Sequence, residues 1–287
     1  MGIIESLNIE AQFKKASAYI NNKNELAAIQ IYQKLLKYEE SERNSTIKLA
    51  DLYDKAGKTN SAIDLFNRYL ERNSDDEEII KLVSYFLVRN SLFDEAEAFI
   101  NKYQNIQDEN MDFLKGIVNF HTNKFHDSQS TFVMFLTKYK SSELVPSALF
   151  YLAKIYLQNS LFDDSLKTIK KSIELSNNNA ESYRIEAEIY FKKEMYYHAN
   201  ESINKALKLN PSIIGWRHFQ IKILILLEEI NKAKAKLDNF VDESESSSEL
   251  LNMLGNWYLK NNDITEDNKY FNIAKSFKYT RVNKIHN

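Results

Sequence analysis

His121 and His126 stand five residues apart, with Asp127 beside the second. They are this sequence's nearest approach to a metal or proton-transfer motif. A zinc pair on one helix face needs its ligands four apart. At a spacing of five the side chains diverge, and polar residues at a helix–helix turn account for them better. The other histidines, His198, His218 and His286, are scattered. The chain has no Cys, which removes disulfides, thiolate zinc sites and cysteine nucleophiles. It has no P-loop, no Gly-rich dinucleotide turn and no Gly-x-Ser-x-Gly elbow. Its carboxylates are spread over polar faces. The acidic run "DESESSSE" at 242–249 reads as a solvated connector that caps the next helix and offers serines for phosphorylation. No catalytic residue, metal ligand or cofactor is assigned, and the expectation is a protein that is not an enzyme.

The elements that position these residues are helices. Only five Gly and two Pro occur in 287 residues, too few for the turns of a β architecture. A hydrophobic fraction of 44% supports a core, and 27% charged residues is ordinary for a soluble chain. A net charge of −2 and a pI near 6.3 argue against a dedicated nucleic-acid binder. The start, "MGIIESLNIEAQF", carries Glu5 and lacks a basic stretch followed by an apolar run, so no secretory signal is expected. The most apolar window, "IKILILLEEI" at 221–230, falls short of the ~18 residues of a membrane span. "MGIIES" fits a myristoylation pattern at Gly2, with Ser6 in the hydroxyl slot. One acyl chain would give only marginal membrane binding. A cytoplasmic location is the expectation.

The chain repeats itself. A small or polar residue recurs at Ala28, Ala62, Ala96, Ser128, Ser165, Ala199, Ala233 and Asp267. By subtraction the spacings are 34, 34, 32, 37, 34, 34 and 34. The corresponding repeats start near 9, 43, 77, 109, 146, 180, 214 and 248, after a lead-in at 1–8, and the array runs over 9–281 before a tail at 282–287. Each repeat reads as two helices. Within 180–211, Tyr183, Ala187 and Tyr190 fall on one face of the first, and Ala199, Ile203, Ala206 and Leu207 on one face of the second. Ala187 and Ala199 let the two backbones approach, and the aromatics fill the gap to the next hairpin. Each hairpin leaves an apolar face that only a stacked neighbour can bury.

This pattern resembles the tetratricopeptide repeat family. Its large–small–aromatic first helix is matched by Tyr183, Ala187 and Tyr190, and its second helix by Ala199, Ile203 and Ala206, closed by Pro211. Leu49, Ala50, Tyr53, Ala62, Phe66 and Tyr69 match in another copy. Further copies offer Leu152, Ala153, Tyr156, Ser165 and Ile169, then Leu254, Gly255, Tyr258, Phe271 and Ala274. The copy at 109 departs, with Asn119 in the tyrosine slot. The resemblance implies an all-α, right-handed solenoid of about eight helix-turn-helix repeats.

In the resembled fold, first helices line a concave groove. Projected in that way, Tyr85, Phe113, Ile117, Phe120 and Phe150 form an aromatic middle. Lys154, Arg184, Lys192 and Lys222 flank it with positive charge. An apolar patch rimmed by charge suits a peptide or helix ligand. One subset of the family grips chaperone C-terminal carboxylates with Lys, Asn and Arg at set groove positions. Here those slots hold Phe13, Ser17, Lys48, Glu78 and Leu82, so that function is not expected. At the far end, Tyr270, Phe271 and Phe277 exceed what one stripe needs, and an uncapped face there would meet a partner or a second copy of the chain. The 32 and 37 spacings predict altered pitch near 105–111 and 138–146.

These readings converge on a non-catalytic scaffold or adaptor, a subunit of a larger assembly binding other proteins or peptides. A regulatory protein that senses a peptide signal is the alternative. An RNA-processing scaffold fits less well, because no basic stripe is present and no nucleic acid is expected.

Overall fold

A computed structural model describes the backbone of residues 3–238 and 245–285, and the side chains of 8–238 and 247–276. Sixteen helices and no strand occur among the described residues. They alternate as hairpins. The first four are α1 (Ile3–Asn21) with α2 (Glu25–Leu35), α3 (Glu39–Lys55) with α4 (Thr59–Leu70), α5 (Glu77–Arg89) with α6 (Phe93–Lys102), and α7 (Glu109–His121) with α8 (Phe125–Lys138). The next four are α9 (Val145–Gln158) with α10 (Phe162–Leu175), α11 (Ala180–Lys192) with α12 (Tyr196–Leu209), α13 (Ile214–Leu226) with α14 (Ile230–Leu237), and α15 (Glu245–Lys260) with α16 (Ile264–Ile285). The architecture is an all-α helical-repeat solenoid. The first helix opens at Ile3, inside the stretch read as a lead-in, and the last extends to Ile285, into the stretch read as a tail.

Every hairpin turns in the same way. The second residue after each first helix adopts positive φ: Lys23, Gly57, Ser91, Asn123, Ser160, Glu194, Glu228 and Asn262. The following amide donates to a carbonyl five residues back, as in Asn24 N–H to Tyr19 O at 2.8 Å and Met195 N–H to Tyr190 O at 2.9 Å. This left-handed residue satisfies the carbonyls left open at a helix end. Only Gly57 takes that conformation without steric cost.

The recurring small residues sit where the helices of a hairpin cross. Ala28, Ala62, Ala96, Ser128, Ser165, Ala199 and Ala233 are fully buried, and Asp267 is nearly so. Where serine replaces alanine, its hydroxyl is used: Ser128 Oγ donates to Gly116 O at 2.8 Å and Ser165 Oγ to Ala153 O at 2.7 Å. A buried hydroxyl needs such a partner.

The chain divides into two compact units, 1–128 and 129–287, and the boundary falls within α8. In unit 1 one continuous core runs from Ala16 to Val118. Charged contacts join its consecutive first helices. Asp76 caps α5 and accepts from Arg43 Nε of α3 at 2.8 Å and from Tyr69 Oη at 2.8 Å. Burial pushes the Asp76 carboxyl up, but Arg43, the Ile79 amide and Tyr69 together hold it below the usual range. Burial and then Asp76 raise the Tyr69 hydroxyl to about 12. Asp108 repeats the arrangement at α7, with Lys81 of α5 at 3.3 Å. Unit 2 holds clusters centred on Ile169, Ile203 and Leu254.

Candidate functional site

The recognition face was expected on the first helices, and the structure distributes its residues unevenly. In unit 1, Tyr85 of α5 is 54% exposed. It stands over a cavity of about 180 Å³ between α3 and α5, floored by Ile47, Phe66, Leu82 and Phe86. Lys48, Asp51 and Arg89 rim it. Arg89 is anchored by Asp54 at 2.7 Å and lies 5.4 Å from the Phe86 ring centre. The clamp comparison had already placed Lys48 and Leu82 in groove slots. Ile47 and Arg89 were missed, although Ile47 is next to Lys48 in sequence and Arg89 lies one helical turn beyond Tyr85.

Phe113 and Ile117 correct the expectation. Both belong to α7, and both are buried at 8% exposure. Met111, Leu114 and Val118 of the same helix are buried too. The helix keeps Asn110 and Lys115 exposed but turns these apolar side chains into the packing between helices. Phe120, one turn on, is half-buried, with its ring 5.6 Å from Phe125. His121 stacks on Phe93 at 4.0 Å, the planes 2° apart. The neighbouring His126 is exposed and points to Asp127 at 3.6 Å. No group of three metal-ligating side chains occurs among the described residues.

In unit 2, Phe150 and Lys154 lie one turn apart on α9. The Lys154 ammonium sits 5.4 Å from both the Phe150 and Tyr151 ring centres, within reach of a cation–π attraction. Burial, and then the positive charge of Arg184, lower its pKa. Arg184 of α11 is held by Glu181 and Glu188, each at 2.7 Å. Lys222 of α13 reaches Glu249 at 2.6 Å and lies 6.0 Å from the Phe191 ring centre. Lys192 is exposed. Phe150, Lys154 and Arg184 therefore come together, while Lys222 is engaged on the next hairpin. Phe191 and Phe219, 5.2 Å apart, add an aromatic pair that the sequence projection left out.

The far-end residues also turn inward. Tyr270 is 4% exposed and stacks on Tyr258 at 5.7 Å. Phe271 packs on Gly255, so closely that a Cβ there would stand 2.8 Å from the ring. The side chain of Phe277 lies outside the described residues, as do Gly2, His286 and most of the acidic run at 242–249.

Among the described residues no helix is long and apolar enough to cross a membrane. No curated protein matches the chain in sequence. A family model described as tetratricopeptide repeat matches residues 10–39 and 47–76. Among solved structures, a tetratricopeptide repeat protein from Parabacteroides merdae is similar in fold at TM-score 0.65 and 14% identity, over 86% of this chain and 98% of that one. PilF of Pseudomonas aeruginosa is similar at TM-score 0.57 and 16% identity, over 75% of this chain and 97% of that one. A chain of the APC/C hetero-tetramer Cut9–Hcn1 is similar at TM-score 0.58 and 15% identity, over 75% of this chain and 43% of that one. The first two hairpins thus match the tetratricopeptide repeat, and the eight like hairpins share the fold of solved tetratricopeptide repeat proteins.

Proposed function

We propose that this chain is a non-catalytic scaffold or adaptor that binds partner proteins or peptides through its first-helix faces, as a cytoplasmic subunit of a larger assembly. The observation that carries this is Tyr85, a large aromatic held 54% exposed beside an apolar cavity with charged rims. Exposed aromatics of that kind are anchors at protein interfaces. Phe150, Lys154 and Arg184 supply a second aromatic–basic patch in unit 2. The hetero-tetrameric setting of the similar Cut9–Hcn1 chain supports an assembly role.

The test is affinity capture with mass spectrometry, followed by binding measurements on the purified partner. Tyr85→Ala together with Lys48→Glu should weaken that partner at least tenfold and leave helicity by circular dichroism intact. Full retention of affinity by this variant would overturn the first-helix reading in unit 1.

A further inference from the structure

We propose that a second copy of this chain docks edge to edge on unit 2, the acidic hairpin turns of one copy meeting the basic connections between hairpins of the other. These are two different surfaces. The turn inside each hairpin lies at one end of its helices, and the connection to the next hairpin lies at the other end. Helices of 14 residues, such as α10 and α12, hold the two edges about 20 Å apart.

Both edges expose apolar side chains. Leu161, Met195 and Tyr197 stand at the turns α9–α10 and α11–α12. Leu175, Leu209 and Ile214 stand at the connections α10–α11 and α12–α13. All six are 37–63% exposed. The two turns share a cavity of about 460 Å³, lined by Leu161 and Phe162 from one and Lys193 from the other. The two connections are neighbours as well, since Lys205 of α12 lies 5.6 Å from the ring centre of Tyr183 in the first turn of α11. Exposed apolar groups gathered in this way mark a surface that a protein contact covers.

The edges differ in charge. On the turns, Lys193 is bound to Asp163, and Lys232 of the next turn to Glu229. Those pairs leave Asp164, Glu194 and Glu228 against Lys192 among the described residues. The connections carry Lys171, Lys205 and Lys208 against Glu174, all exposed. The connection that follows, between α14 and α15, holds the acidic run in sequence, which confines the basic stretch to these two.

Spacing makes a second copy the occupant. Leu161 and Met195 stand 34 residues apart, as do Leu175 and Leu209, and Lys171 and Lys205. Two stacked hairpins therefore repeat with the same period on both edges, and one edge can meet the opposite edge of another copy at two points at once. An unrelated partner would have to reproduce that period, whereas another copy has it by construction. Two contacts formed together reinforce each other. Because the contact joins unlike surfaces, each copy keeps a free edge, and association continues beyond a pair.

The test is sedimentation velocity on the full chain from micromolar to millimolar concentration. The mean mass should rise past that of two chains, and added salt should lower it. Asp163→Lys with Asp164→Lys makes both edges basic, and Lys205→Glu with Lys208→Glu makes both acidic. Each variant alone should associate at least about tenfold more weakly. Their equimolar mixture should recover assembly, since each then offers the edge that the other lacks. All four positions are exposed, and circular dichroism verifies the fold. Four results would overturn the proposal: a single chain at every concentration, a mass that stops at two chains, unchanged association of either variant, or a mixture no heavier than its components.

Discussion

The hairpins α11–α12 and α15–α16 occupy the same register two repeats apart, yet they fill it differently. Tyr190 and Tyr258 correspond, and each receives a lysine from the preceding second helix, Lys170 at 5.5 Å and Lys234 at 5.4 Å from the ring centre. At the crossing point they part. Ala187 becomes Gly255, Ile203 becomes Phe271 and Ala199 becomes Asp267. The first two changes compensate each other. The methyl lost at 255 makes the space that the larger ring at 271 occupies. The third has no such compensation: Asp267 is 4% exposed, and among the described residues its hydrogen-bond partner is the amide of the adjacent Asn268. The repeat thus fixes a volume at the crossing point and leaves its division among side chains open.

The largest effect should come from moving the exception into the regular hairpin. Ala199 is fully buried beside Ala187, Tyr190 and Ile203. Ala199→Asp places a charge there with no partner, and about 3–5 kcal/mol of destabilisation is expected. Denaturant unfolding followed by tryptophan fluorescence measures it, because Trp216 packs in the same cluster. A loss below about 1 kcal/mol would mean that the crossing point admits water.

Gly255→Ala tests the volume exchange. The new methyl would meet a rigid ring at 2.8 Å, so about 2 kcal/mol of overpacking is expected. Combining it with Phe271→Ile, which restores the pairing seen at Ala187 and Ile203, should recover most of that loss. Additive losses in the double variant would show that the two positions do not share one space. The converse change at the third position is gentler. Asp267→Ala should stabilise the last hairpin by about 1 kcal/mol, read as slower amide exchange in α15 and α16.

Much of this was legible in the sequence, and the reasons are local. The eight small or polar anchors recur at 34 residues, except for the 32 and 37 around Ser128, because each hairpin solves the same crossing problem, and a periodic solution leaves a periodic trace. The positive-φ turns share that spacing, but only Gly57 announces one by residue type. What stayed hidden depends on partners distant in sequence. Tyr270 reads as surplus on its own helix and becomes core only because Tyr258 stacks on it. Phe271 reads as exposed until Gly255 is seen to receive it. Phe113 and Ile117 follow a groove spacing, yet α7 is packed over most of its surface and buries both.

The smallest expected effect concerns the turns, where the two hairpins differ again. Glu194 holds φ at 58° and Asn262 at 61°. The left-handed region brings Cβ against the following carbonyl, at a cost of about 1 kcal/mol for most residues and less for asparagine. Glycine removes that cost but gives the unfolded chain more freedom, which returns part of the gain. Glu194→Gly should therefore stabilise by about 0.5 kcal/mol, and Asn262→Gly should change stability by less. The Glu194 substitution leaves the amide bonds of the turn in place, because the donors are the backbone of Glu194 and Met195. The Asn262 turn is held in the same way, by its own amide and that of Asp263. The comparison is therefore one of conformational strain alone, measured as the difference in denaturation midpoint between the two variants at equal slope. Equal gains at both sites would mean that asparagine has no advantage in this turn. A loss at Glu194 would mean that its side chain contributes more to the folded state than relief of the strain returns.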